Sequence, residues 1–187
     1  MDGFDRHMFI CAHERPEDAP RECCAAKNSL SLMKNIKKAA KAEGIQHGVY
    51  TSTFTVHERT RNYFPAEEKV PLDNPGVYGL SKGFGEQVCQ YFCREHKMSI
   101  IALRITGPST RQQWLEKRTQ PKSNPVHIWW TDEEDLARAY LAAISISHTG
   151  FNAVFIAGDE EQKEINLSKA KQILGWEPLT HTSFSTK

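Results

Sequence analysis

Tyr78-Gly79-Leu80-Ser81-Lys82 begins a stretch of helical period, and Ser99-Ile100-Ile101-Ala102-Leu103-Arg104-Ile105 ends it with strand character. From Val77 to about His96, the apolar residues Leu80, Phe84, Val88 and Phe92 share one face of a helix. Ser99 to Ile105 is short and almost continuously apolar, as a strand buried on both faces must be. A helix running straight into a buried strand is half of a crossover unit, so the flanking sequence decides whether the unit repeats.

The unit repeats in both directions. Upstream, Gly48-Val49-Tyr50-Thr51-Ser52 reads as a strand, joined to the Val77 helix by a polar loop from about His57 to Gly76. Before it, Asn28 or Ser29 caps a predicted helix reaching about Glu43, with Leu32, Met33, Ile36, Ala39 and Ala40 as its apolar stripe and Gly44 as its stop. His7 to Ala12 is a further short apolar run. Downstream, Thr110 to Asn124 is polar and basic and reads as a surface insertion. Val126 to Trp130 is extended, and Trp129-Trp130 suits a core or loop anchor better than a sugar-stacking surface. Thr131 with Glu134 has the spacing of a capping box for a helix from Asp132 to about Ser147. Ala153 to Ala157 is a last strand, Asn166 caps a last helix ending at Gly175, and the tail beyond Pro178 is expected to fray. The alternation predicts an α/β fold with a mostly parallel sheet flanked by helices, as a single domain over residues 1–187.

Composition narrows the function classes. With 39% hydrophobic and 25% charged residues, the chain matches an ordinary globular protein. A formal net charge of +1 provides no bulk field for nucleic acid or an anionic membrane. No apolar run approaches the roughly 20 residues that span a bilayer. Met1 to Arg6 has no signal-peptide core, so a cytoplasmic location is expected. The five cysteines include no CxxC pair, and the eight histidines no HExxH spacing, so reduced thiols and no metal site are expected.

The chemistry concentrates in two places. Tyr78 and Lys82 lie at i and i+4, which brings a phenol and an ammonium to one helix face. A nearby cation favours the phenolate, and such a phenol serves as general acid or base on a hydroxyl or carbonyl. Thr51-Ser52-Thr53 ends a strand, where the active-site groups of parallel sheets gather.

The order of strand, Thr51-Ser52-Thr53, loop, Tyr78-Gly79-Leu80-Ser81-Lys82, helix and Ile100-Ile101-Ala102-Leu103-Arg104-Ile105-Thr106-Gly107-Pro108 resembles the extended short-chain dehydrogenase/reductases. The closer match is their NAD-dependent epimerase/dehydratase branch, which acts largely on sugars and sugar nucleotides. Asp5 to His13 resembles that family's fourth strand. Asp135-Leu136-Ala137-Arg138-Ala139 and Leu174-Gly175-Trp176-Glu177-Pro178 are similar to its C-terminal signatures. The resemblance implies a partial Rossmann-like sheet, NAD or NADP as cofactor, and a sugar or sugar nucleotide as substrate. Tyr78 would be the general acid/base. Lys82 would hold the nicotinamide ribose and lower the phenol's pKa. Thr53 would bind the substrate oxygen, with Ser52 as the alternative one residue upstream. Cys11, Ala12, Ser29, Gly107 and Pro108 would line the cofactor together with Ser52, Tyr78 and Lys82.

The sequence also departs from the family pattern. None of its 11 glycines forms the Gly-rich turn that cradles a pyrophosphate, because Gly83-Phe84-Gly85 lies inside the Tyr78 helix. The matching region begins at the family's fourth strand, so a truncated domain is expected. Its sheet edge beside His7–Ala12 would then need cover from a second copy or a partner chain. The family's Val-Tyr-Gly after the Ser/Thr segment reads Val56-His57-Glu58 here, and the stretch from Gly107 to Trp129 is short for a substrate region. Two functions fit: an NAD(P)-dependent oxidoreductase or epimerase/dehydratase, and an inactive relative serving as an interaction or dimerisation module.

Overall fold

The structure, a computed structural model, describes residues 7–10, 35, 38–118 and 130–178. Its elements are β1 (His7–Ile10), β2 (His47–Thr53), α1 (Val77–His96), β3 (Ser99–Ile105), β4 (Gly107–Ser109), α2 (Arg111–Arg118), β5 (Trp130–Asp132), α3 (Glu133–Ser145), β6 (Phe151–Ile156) and α4 (Ser168–Leu174). Single 3₁₀ turns occupy Phe54–Val56 and Glu67–Lys69. Strands β1, β2, β3 and β6 form one sheet in that order, and every neighbouring pair is parallel. β4 and β5 make a separate parallel pair beyond the end of β3. The expected α/β architecture with a parallel sheet is therefore present. No described helix is long and apolar enough to cross a membrane.

Side-chain parity decides which helix covers which face. Val49, Ile101, Leu103 and Val154 pack in one cluster with Ala139 and Ala143 of α3 and Ala170 and Leu174 of α4. Tyr50, Ile100, Ala102 and Ala153 pack in a second cluster with Cys89, Phe92 and Cys93 of α1. Both faces are buried, which is why Ser99–Ile105 shows no polar alternation. The helix ending near residue 42 stops as expected. Gly44 adopts φ +69°, and the Gly44 and Ile45 N–H groups return to Lys41 O and Ala40 O at 3.1 and 2.9 Å.

The two C-terminal stretches that look separate in the sequence meet in space. Trp176, fully buried, donates its Nε1–H to Asp135 O at 2.9 Å, and the Arg138 guanidinium lies over the indole, 6.0 Å from its centroid. This contact fastens α4 to the start of α3.

Two readings need correction, and the loop after β2 adds burial that composition does not show. Thr131 does not cap α3. Its hydroxyl lies 2.7 Å from Thr106 Oγ1 inside the molecule, and Asp132 is the cap, accepting from the Glu134 N–H at 2.8 Å. Thr110 to Asn124 is not simply a surface insertion. Residues 111–118 form α2, anchored by buried Trp114, with the Arg111 guanidinium 5.6 Å from the ring centroid. The His57–Gly76 segment is polar in composition yet buries His57, Phe64, Glu67 and Val70. Glu67 Oε1 there accepts the Phe155 N–H of β6 at 2.6 Å, satisfying one backbone donor on the outer edge of the sheet. Burial pushes the Glu67 carboxyl above its ordinary pKa.

Candidate active site

β2 ends where α1 begins to cover it, and a glycine sets how closely they approach. A Cβ added at Gly79 would lie 2.2 Å from the backbone oxygen of Thr55. With only hydrogen there, the first turn of α1 rests on the 3₁₀ turn Phe54–Val56. The Asn74 side chain holds the lead-in to the helix. Its Oδ1 accepts from the Gly76 N–H at 2.7 Å, and its Nδ2 donates to His57 O at 3.2 Å.

The tyrosine and lysine then fall on opposite sides of the solvent boundary. Tyr78 is 41% exposed, whereas Lys82, one turn on, is 4% exposed. An ammonium so buried requires compensation. Lys82 Nζ donates to Thr51 O at 2.9 Å and lies 5.5 Å from the Tyr50 ring centroid and 5.9 Å from that of Tyr78. Both distances suit cation–π attraction. The structure thus places a held positive charge beside a phenol that solutes can reach.

The hydroxyls at the end of β2 differ in their surroundings. Thr51 Oγ1 is 2.7 Å from Tyr140 Oη, on the α3 side of the sheet. Ser52 faces α1 and donates to Glu86 Oε1 at 2.5 Å. Thr53 Oγ1 accepts from the Thr55 N–H at 3.2 Å. A threonine hydroxyl accepting in this way still carries its own proton to donate. Gly107 and Pro108 belong to β4, paired with Trp130 and Thr131, rather than to a turn. Cys11, Ala12 and Ser29 lie outside the described residues.

Behind this site runs a buried polar chain that motif reading missed. Glu86 receives Arg104 Nε at 3.0 Å and Nη2 at 2.7 Å, and both side chains are almost fully buried. Arg104 Nη1 lies 3.2 Å from His57 Nε2, and His57 Nδ1 lies 2.8 Å from Pro71 O. The partners assign the tautomer: Nδ1–H donates to Pro71 O, and Nε2 accepts from Arg104. A charge inside the apolar run Ile100–Ile105 was the available signal, because a buried arginine requires a buried acceptor.

This environment keeps His57 neutral. Burial first, and then the Arg104 charge, lower its pKa from 6.5 to about 4, against the raising effect of the Pro71 hydrogen bond. Between those values the unfolded chain binds the proton and the folded one does not, so stability increases with pH there. Stability present above about pH 6.5 should decline as pH falls toward 4, by about 3 kcal/mol from this residue at 1.36 kcal/mol per unit. Urea denaturation across that range should show a steeper pH dependence for the wild type than for His57→Gln.

The side chains at the end of β2 fit the ribose end of a nicotinamide dinucleotide. A fixed ammonium donor and a reachable phenol stand together at the carboxyl end of a parallel strand, where nucleotides bind open α/β sheets. Among the described residues there is no glycine-rich turn leading into a helix to cradle the pyrophosphate. Nor does any group of three or more His, Cys, Asp or Glu side chains among them suit a metal ion.

Two curated relatives come from Haloferax volcanii. An NAD-dependent glucose-6-phosphate dehydrogenase is 22% identical, over 98% of this chain and 71% of the relative. An L-arabinose 1-dehydrogenase (NAD(P)(+)) is 26% identical, over 98% of this chain and 77% of the relative. Solved structures share the fold. A glucuronic acid dehydrogenase from Chromohalobacter salexigens superposes with a TM-score of 0.64 at 20% identity, over 81% of this chain and 53% of that one. A UDP-galactose 4-epimerase gives a TM-score of 0.62 at 18% identity, over 81% and 64%. The chain thus spans between half and two thirds of the length of these two structures. Residues 14–122, which hold the end of β2, the Tyr78–Lys82 pair and β3, match the model of the NAD dependent epimerase/dehydratase family, and the chain belongs to that family.

Proposed function

We propose that the protein is an NAD(P)-dependent oxidoreductase acting on a hydroxyl of a sugar or sugar nucleotide, with Tyr78 as general acid/base. The observation that carries this reading is the buried Lys82 ammonium, bonded to Thr51 O and 5.9 Å from the ring centroid of half-exposed Tyr78. The two Haloferax volcanii relatives are named as sugar dehydrogenases, which supports the substrate class.

In this reading Thr53 donates its hydroxyl proton to the substrate oxygen, its own oxygen being oriented by the Thr55 N–H. Tyr78 Oη takes the substrate's hydroxyl proton, and Lys82 stabilises the negative charge that develops on the phenol. Lys82 would also hold the ribose hydroxyls of a bound dinucleotide. The chemistry supplied by a bound nicotinamide would be that of hydride acceptor, as the carbinol carbon becomes a carbonyl. In the reverse direction Tyr78 returns the proton.

Two measurements test this. Titration with NAD⁺ and NADP⁺ by calorimetry should give saturable binding, weakened roughly tenfold or more in Lys82→Ala by loss of charge-assisted hydrogen bonds. A panel of aldoses, sugar phosphates, uronates and UDP-sugars, followed by reduced-nicotinamide absorbance, should yield at least one substrate. A folded protein that binds no dinucleotide would overturn the catalytic reading in favour of an interaction module.

A further inference from the structure

The Glu86–Arg104 pair lies behind the site, and no step of the proposed reaction passes through it. Its placement nevertheless bears on every group that reacts. Tyr78, Lys82 and Glu86 follow one another at four-residue spacing, so each lies one turn from the next along α1. Lys82 and Glu86 both turn toward the sheet, with Glu86 fully buried. Ser52 and Arg104 are direct partners in the β2–β3 register, so their side chains leave the sheet side by side toward α1. Three hydrogen bonds converge there on one carboxylate: Ser52 Oγ at 2.5 Å, Arg104 Nε at 3.0 Å and Arg104 Nη2 at 2.7 Å.

Apolar packing alone leaves a helix several nearly equivalent settings, and cores lose uniqueness before they lose stability. A two-pronged guanidinium–carboxylate contact has one good geometry. If α1 rolled or slid, both prongs would break in a buried setting. The same guanidinium extends to the approach of the helix. Its Nη1 meets His57 Nε2, His57 holds Pro71 O, and His57 O accepts from Asn74, whose Oδ1 accepts from the Gly76 N–H at the start of α1. Both the third turn of α1 and its first residues are thus tied to one arginine of the central sheet.

We infer that the Glu86–Arg104 pair, with Ser52 and His57 as its outer partners, is the positioning element of the site: it sets the roll and depth of α1 and so places Tyr78 and Lys82 at the end of β2. Its bearing on turnover rests on the reading of Tyr78 as the proton carrier. The placement itself is independent of that reading. Ser52 is accordingly a positioning residue, its hydroxyl engaged with Glu86 rather than with substrate.

Arg104→Lys tests the assignment, because it keeps the positive charge and removes the fork and the contact with His57. Glu86→Gln keeps the shape and one acceptor oxygen, and serves the same test if Arg104→Lys does not fold. In the folded variants kcat should fall by roughly 10²-fold, the scale expected of a misplaced reacting group, while the KM for sugar changes little. A second readout needs no turnover. With ¹³C at tyrosine Cζ, and the Tyr78 resonance assigned by its loss in Tyr78→Phe, the pH titration of that phenol should shift in the variants. A pair with a merely structural role lowers the thermal midpoint but moves neither kcat nor the Tyr78 titration, and that result would overturn the inference. If the wild type oxidises no sugar, the titration alone decides the positioning role, and only the catalytic reading falls.

Discussion

Tyr78→Phe should lower kcat by about 10²–10⁴-fold, the range lost when a positioned proton carrier is removed. The change deletes one oxygen atom and leaves the ring that lies 5.9 Å from Lys82 Nζ. Because Tyr78 is 41% exposed, little buried volume changes, and stability should stay within about 0.5 kcal/mol of the wild type. Dinucleotide affinity should also hold within a few-fold, since Lys82 and its bond to Thr51 O remain. The check is steady-state kinetics on whichever sugar the panel identifies, alongside thermal unfolding of both proteins. A folded Tyr78→Phe variant that keeps wild-type kcat would remove the phenol from the mechanism.

Gly79→Ala and Gly83→Ala should change stability in opposite directions, although both glycines lie in α1 and four residues apart. At Gly79 the new methyl would meet the Thr55 carbonyl oxygen at 2.2 Å, and backbone cannot swing aside as a side-chain tip can. The helix must lift off the 3₁₀ turn, an overpacking penalty of about 1–3 kcal/mol. Unfolding midpoints should fall by about 2–4 °C per kcal/mol for a chain of this size. At Gly83 a methyl would meet only Leu72 side-chain atoms, at 3.8 and 3.9 Å, which is ordinary contact. Alanine there gains about 0.5–1 kcal/mol of helix preference over glycine, so the midpoint should rise. Gly79→Ala should also reduce turnover, because the displaced first turn carries Tyr78. Differential scanning calorimetry of the two variants separates steric necessity from general glycine softness. Equal midpoint changes in the two would refute the close approach.

The split between legible and hidden features follows the range of the interactions. Val77–His96 and Ser99–Ile105 have the expected bounds, because helical period and apolar continuity are properties of neighbouring residues. Thr131 is different: the cap moves to Asp132, because the pairing of β5 with β4 runs through Asp132 before α3 begins. α2 escaped notice because its composition is polar. Trp114, which anchors it, is buried and lies beside Gly158, far along the chain. His57 could not be singled out among eight histidines, since its partners Pro71 and Arg104 stand 14 and 47 residues away.

Sequence by itself determined the α/β class and the pairing of Tyr78 with Lys82, because a helix of known pitch brings i and i+4 to one face whatever surrounds it. Tertiary structure alone decided which hydroxyl of Thr51-Ser52-Thr53 is turned where. Strand parity sends Ser52 to α1, and the register with β3 sets it beside Arg104, where Glu86 claims its proton. It also decided that Lys82 lies buried between two tyrosine rings while Tyr78 stays open to solvent. The depth at which a helix sits on a sheet is fixed by residues far apart in the chain, here the bare Cα of Gly79 against Thr55 and the Glu86–Arg104 fork.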